Sequence, residues 1–186
     1  MRRKTSGQWP TARAEPALVV SERTRTYTWS EPVVFDAAAD ASGLADLEAM
    51  VAGRIPQPPI GATLGFRLVE VGAGYAVFEG EPSEFVLNPL GTVHGGVALT
   101  LVDSATGCAV LTMLPPGVGY TTLETKANFV RPIRVDSGML RAIGRAVHVG
   151  RSTATADARI EDASGRLYAH GTSTLLVLGQ RPEDAP

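Results

Sequence analysis

From Asn88 to Leu114 the chain reads NPLGTVHGGVALTLVDSATGCAVLTML. The eighteen residues from Val97 to Leu114 are mostly apolar and carry one charge, Asp103. A helix that is apolar all round belongs inside a protein or inside a membrane. Asp103, Ser104 and the stop at Pro115-Pro116-Gly117 make this a buried core helix rather than a span. A turn built from Asn88, Pro89 and Gly91 leads into it through His94-Gly95-Gly96.

On either side the pattern is different. Upstream, Ser42 is placed to cap a short helix whose apolar stripe, Leu44, Leu47 and Met50-Val51, stops near Gly53. Pro56, Pro58 and Pro59 then break the chain. Residues 66–71 and 75–80 read as two short strands joined at Gly72-Ala73-Gly74. Downstream, strand follows strand over 120–130, 139–149, 151–161 and 167–178, with turns at Gly138, Gly150 and Gly165 that predict antiparallel hairpins. Along 120–130, Leu123, Ala127 and Phe129 alternate with Glu124, Lys126 and Asn128; along 151–161, Ser152, Ala154, Ala156, Ala158 and Ile160 share one face. Small inward residues suit a sheet that wraps closely round a helix. Two strands, a long buried helix and four more strands predict an α+β fold, one antiparallel sheet curled round one central helix.

Length and charge narrow the organisation. The 186 residues suit one domain with an appended arm: an arm over 1–38, flexible or loosely docked, a domain over 39–180 and a tail over 181–186. Hydrophobic content of 44% with 19% charge describes a globular chain. A formal net charge of -2 gives no basic footprint for nucleic acid, and residues 1–57 do not read as a helix-turn-helix. The single cysteine, Cys108, builds neither a disulfide framework nor a zinc cluster, and His94, His148 and His170 lack metal spacing. Arg2, Arg3 and Lys4 are followed by no apolar run, so no secretory or twin-arginine signal is completed. A cytoplasmic protein with no membrane partner and no metal is expected.

The helix start is where chemistry is expected. Its unpaired N–H groups and positive dipole end favour an oxyanion. Gly95 and Gly96 leave the first turn bare, so a carbonyl oxygen can reach the amides, with His94 and Asn88 at the mouth. One such donor is worth ~100–1,000-fold in rate when a carbonyl is attacked. Asp103 is the candidate base or nucleophile, yet it lies eight residues beyond Gly95. At ~1.5 Å per residue that is roughly 12 Å, while reacting atoms must approach to about 3–3.5 Å. If both groups serve one carbonyl, two antiparallel helices related by a dyad near Leu99 must bring Asp103 of one chain beside Gly95 of another. The bland alternatives are a packing glycine pair and a structural buried acid.

The run Asn88-x5-His94-Gly95-Gly96-x6-Asp103 resembles the motif of hotdog-fold acyl-CoA thioesterases of the PaaI-like, phenylacetate-pathway type. The strand TTLETKANFVRP and the final GRSTATADARIEDASGRLYAHGTST fit as well, so the resemblance covers roughly residues 58–178. It implies a hotdog homodimer, able to pair again into a tetramer, that hydrolyses acyl-CoA to free acid and CoA. It implies that the Gly95 amide polarises the thioester carbonyl, that Asn88 helps hold it, and that His94 orients. Asp103 of the other subunit then activates a water or attacks directly. The family's hydroxyl partner to that acid falls on Thr122, with Thr121 as the near alternative. Simple alternation puts Thr122 on the Glu124 side, so a bulge is required. CoA is substrate and no cofactor is implied; Gly150-Arg151-Ser152 matches the family's basic position for its phosphates, and Arg131, Arg134 and Arg145 are further cations.

Rival readings are weaker. No G-x-S-x-G elbow is present, and no Asp/His dyad of a hotdog hydratase is found. A non-catalytic acyl-CoA-binding sensor on the same fold is the alternative. The acyl group stays open among aromatic, medium-chain and short branched types, because it depends on how the arm, the helix over 39–53 and Met113 pack.

Overall fold

The computed structural model describes residues 20–33 and 41–179. The expectations for residues 1–19, for 34–38 of the arm, for the domain start at 39–40 and for the tail at 181–186 lie outside them.

Among the described residues three α-helices and six strands follow in the order α1 (Gly43–Val51), α2 (Pro59–Leu64), β1 (Phe66–Gly72), β2 (Tyr75–Gly80), α3 (Gly95–Leu111), β3 (Gly119–Phe129), β4 (Leu140–Val149), β5 (Thr153–Asp162) and β6 (Leu167–Leu178). The strands form one antiparallel sheet in the order β1-β2-β4-β5-β6-β3. α3 packs across the inside of its curve, against β2 to β6. This is the hotdog architecture. β1 and β3 are its two edges.

Small residues let the sheet close on the helix. Ala154, Ala156 and Ala158 are fully buried along the inner row of β5, with Ile160 beside them. A Cβ on Gly144 of β4 would run into the Ala105 carbonyl of α3, and one on Gly171 of β6 would meet Val102 and the Lys126 carbonyl. A Cβ on Gly107 would strike the Tyr120 hydroxyl. Leu101, Val102, Ala105, Ala109 and Val110 of α3 fill the remaining space. A Leu or Val buried this way contributes about 1.5–3 kcal/mol relative to exposure.

Local chemistry explains the ends. Ser42 caps α1 by accepting the Ala45 N–H at 3.3 Å. α2 begins on Pro59, at the first helical position, where a missing N–H costs nothing, and ends on Gly65 at φ 82°. The prolines expected only to break the chain therefore also start a helix. The described part of the arm is irregular in backbone but tied down. Arg25 donates to the Ala62 and Thr63 carbonyls at the α2 C-terminus, at 2.5 and 2.6 Å, and its guanidinium lies 3.6 Å from the Phe85 ring centroid.

Candidate active site

Asn88 organises the turn that feeds α3. Its side-chain oxygen accepts the Leu90 N–H at 2.9 Å and the Thr92 N–H at 3.3 Å, and its amide donates to the Thr92 hydroxyl at 2.9 Å. Gly91 supplies the left-handed residue, φ 73°. Two backbone bonds fix the chain's entry into the helix, Val93 N–H to the Ile133 carbonyl at 2.9 Å and His94 N–H to the Val86 carbonyl at 2.8 Å.

His94 is the N-cap of α3, its Nδ1 accepting the Gly96 N–H at 2.9 Å. A ring nitrogen that accepts carries no proton, so the neutral ring holds its proton on Nε2. The next amide, Val97, donates to the His94 carbonyl at 3.0 Å. Among the described residues the Gly95 N–H has no acceptor. It opens on a cleft of about 290 Å³ lined by Asn88, Gly95, Phe129 and Arg131. The Phe129 ring lies against Gly95, about 3.1 Å from where a Cβ would sit.

Two turns along α3, Asp103 is half-buried and accepts a hydrogen bond from the Thr125 hydroxyl at 3.0 Å. Thr125 is 3.1 Å from the Ser173 hydroxyl, which is 2.8 Å from the Thr106 hydroxyl. Each hydroxyl has one proton. Thr125 spends its proton on the carboxylate and Thr106 spends its own on the Val102 carbonyl at 2.9 Å, so the Ser173 proton is the one shared between the two threonines. The hydroxyl cluster links Asp103 at one end to the Val102 carbonyl at the other.

Thr122 was the expected hydroxyl partner, and here the structure differs. β3 has a bulge between Thr122 and Glu124, so Thr122, paired with Leu175, and Thr125, paired with Ser173, both face the helix. Leu123, the extra residue, is turned out at 58% exposure. The required bulge exists, but the hydroxyl that meets Asp103 is Thr125. Thr121 points away from the helix.

Of the expected CoA contacts, Arg131 lies on the Gly95 cleft and donates to the Leu167 carbonyl at 2.6 Å. Arg134 stands beside it with Arg166 round an adjoining recess. Gly150, Arg151 and Ser152 form the β4–β5 turn, held by Gly150 N–H to the Thr153 carbonyl and Val177 N–H to the Ser152 carbonyl. The register puts this turn at the opposite end of the sheet: Thr153 pairs with Leu176, whereas Phe129 and Ile160 pair with Ala169. Arg145 instead lies 4.9 Å from the Tyr75 ring centroid. A single chain thus brings together Asn88, His94, Gly95 and Arg131, and separately Asp103 with Thr125; it does not bring the two groups together.

Beyond Asp103 the helix turns apolar. Burial, with the Asp103 charge adding, pushes the Cys108 thiol up to about 12. Burial raises the Tyr120 phenol too, with Cys108 and Asp103 contributing. Among the described residues no helix is long and apolar enough to cross a membrane, and no three potential metal ligands cluster.

Fold and site together define a hotdog-fold thioester hydrolase. The family model of the Thioesterase superfamily matches residues 90–169, and the chain belongs to that superfamily. It is 30% identical over 119 residues to the 1,4-dihydroxy-2-naphthoyl-CoA hydrolase of Listeria monocytogenes, covering 64% of this chain and 95% of that protein. Among solved structures it is similar to the phenylacetic acid degradation protein PaaI of Thermus thermophilus, in a variant form, with 30% identity, a TM-score of 0.57 and coverage of 63% and 97% of the two chains. A phenylacetic acid degradation-related protein of Ralstonia eutropha JMP134 gives 29% identity, a TM-score of 0.63 and coverage of 70% and 98%.

Proposed function

We propose that this protein hydrolyses acyl-CoA thioesters to free acid and CoA, in sites each made by the α3 N-terminus of one chain and Asp103 of another. The observation that carries the reading is the Gly95 N–H, a helix-start donor with no acceptor among the described residues, opening on a cleft. Such a donor is worth most where negative charge develops during reaction.

Each residue then has a task. The thioester oxygen sits on the Gly95 N–H, with the second Asn88 amide hydrogen as its neighbour. His94 holds the helix start and takes no proton. Asp103, fixed by Thr125, accepts a proton from a water, and Thr122 on the same face orients that water. The hydroxide adds to the carbonyl carbon, the oxyanion collapses, the C–S bond breaks, and the thiolate leaves as CoA takes up the proton. Direct attack by Asp103 through a mixed anhydride, then opened by water, has the same overall balance.

Two features support a second copy of the chain. The roughly 12 Å along one helix keeps Asp103 from its own Gly95. β3 is also a long edge strand with exposed apolar side chains, Leu123 and Phe129, and Leu99 of α3 is half-exposed as well. A dyad near Leu99 joins the β3 edges and carries the Gly150–Ser152 turn, at the Asp103 chain's far end, towards the partner's Gly95 cleft. There it meets CoA phosphates together with Arg131. A homodimer is the minimum unit, a tetramer a pairing of dimers, and the cytoplasm suits a chain with one cysteine.

The test is thiol release from a panel of acyl-CoA esters. Wild type should turn over some of them, and Asp103→Asn should lose about 100-fold or more in kcat with its melting unchanged. A protein that binds the esters and hydrolyses none is a sensor instead.

A further inference from the structure

Arg25 of the arm bears on the connection between β2 and α3, one residue away from a backbone bond that fixes the start of α3. We propose that Arg25 is a positioning residue for the reaction, acting through Phe85 and Val86 on the Gly95 N–H. This rests on the thioester hydrolysis proposed above.

The path can be followed contact by contact. Arg25 gives its two terminal nitrogens to the Thr63 and Ala62 carbonyls at the end of α2, where a helix leaves acceptors unpaired. Its guanidinium carbon lies 3.6 Å from the Phe85 ring centroid and 4.5 Å from that of Tyr27. The Phe85 ring also meets α2, about 3.4 Å from where a Cβ on Gly65 would sit. Arg25 and the end of α2 therefore bear on the same ring. Phe85 is the middle residue of a single 3₁₀ turn, Glu84–Val86. The carbonyl of the next residue, Val86, accepts the His94 N–H, and Leu87 bridges Val93. His94 caps α3, and Gly95 follows it.

The turn needs an outside hold. A single 3₁₀ turn has poor hydrogen-bond geometry of its own. Arg23 reaches Glu84 of the same turn at 3.1 Å, but both side chains are more than half exposed, so that pair contributes little. Arg25 does more, because a guanidinium offers two donors in a fixed fork and a flat face to a ring; a lysine offers a point charge. Small shifts matter at the far end of the path. An oxyanion donor works at about 2.7–3.1 Å, and a misplacement of about 1 Å can cost about 100-fold in rate.

The experiment measures kcat and KM on the full chain, with the panel ester that wild type turns over fastest. Arg25→Ala should lower kcat about tenfold with KM changed less than about twofold, and Arg25→Lys should fall with it. In a Gly95→Pro background the donor is already gone, so Arg25→Ala should change the remaining kcat by less than about twofold. An unchanged kcat, a loss that persists undiminished beside Gly95→Pro, or full activity in Arg25→Lys overturns the proposal; the last would assign the effect to charge alone. Hydrogen exchange reads the path without turnover: the His94 amide should exchange about tenfold faster in Arg25→Ala, and unchanged exchange also overturns it. No turnover of any ester by wild type overturns the hydrolase reading and the catalytic role of Arg25 with it, while exchange at His94 still decides the path.

Discussion

Thr125 on β3 donates its hydroxyl proton to Asp103 on α3 across 3.0 Å, and that one bond ties the single acid of the central helix to the edge strand of the sheet. Behind it Ser173 and Thr106, at 1% and 0% exposure, continue a buried row of hydroxyls that ends on the Val102 carbonyl. Hydrogen bonds in such a row polarise one another, and the row fixes the rotamer of the carboxylate.

Thr125→Val keeps the shape and removes the proton that Asp103 accepts. It should lower kcat about tenfold or more while KM changes little, because the loss is of orientation rather than of binding. Ser173→Ala leaves Thr125 bonded to the acid and Thr106 bonded to the Val102 carbonyl, and removes only the hydrogen bond that joins them, at a cost of about 0.5–1.5 kcal/mol. Chemical denaturation should show that loss, with a smaller effect on kcat than Thr125→Val has. Equal kcat losses in both variants would contradict a direct role for the Thr125 hydroxyl at the acid.

Gly95→Pro isolates the proposed oxyanion donor. Gly95 is the first residue of α3, the position where proline is favoured, and His94 at φ -59° and ψ 134° already has a backbone that a following proline accepts. The substitution removes one N–H and leaves the Gly96 cap in place. A loss of ~100–1,000-fold in kcat is expected, with stability changed by less than about 1 kcal/mol. Gly95→Ala, which displaces only the exposed Phe129 ring, should keep more activity than Gly95→Pro. A proline variant as active as the alanine variant would remove the amide from the mechanism.

Cys108 should be inert. Its thiol is raised from the ordinary value of 9.0 to about 12, so at pH 8 roughly one in ten thousand molecules is thiolate, the reactive form. Folded protein should give almost no reaction with an aromatic disulfide reagent at pH 8 and full reaction of its one thiol in denaturant. Rapid labelling of the folded chain would show that the thiol is not shielded.

The helix, its glycine start and its lone acid were legible because each departs from a simple rule: an apolar run with one charge, and a bare first turn. The strands followed from two-residue alternation, and Ala154, Ala156 and Ala158 are buried as that alternation requires. The hairpin expected at Gly138 is not formed, because β3 pairs with β6 at the sheet edge while β4 pairs with β2 and β5. β3 defeated the same rule, because the bulge at Leu123 exchanges faces within a run that alternates plausibly on either side of it. The expected hydroxyl partner was Thr122, with Thr121 as the alternative, and neither is the threonine that meets the acid in this chain. α2 was hidden by prolines that read as breakers. The Thr106–Ser173 contact joins residues 67 apart, and its only trace in the sequence is a hydroxyl three residues after Asp103 in an apolar helix. The cleft at Gly95 includes Phe129, which alternation treated as one more core residue although it is 59% exposed.

The shared site is tested most directly by co-expressing an Asp103→Asn chain with a Gly95→Pro chain, each inactive alone. With random pairing half the dimers are mixed, and each mixed dimer has one intact site of two, so activity should return to roughly a quarter of wild type. Mixed protein as inactive as its parents, or a fully active monomeric wild type, would contradict a site made by two chains.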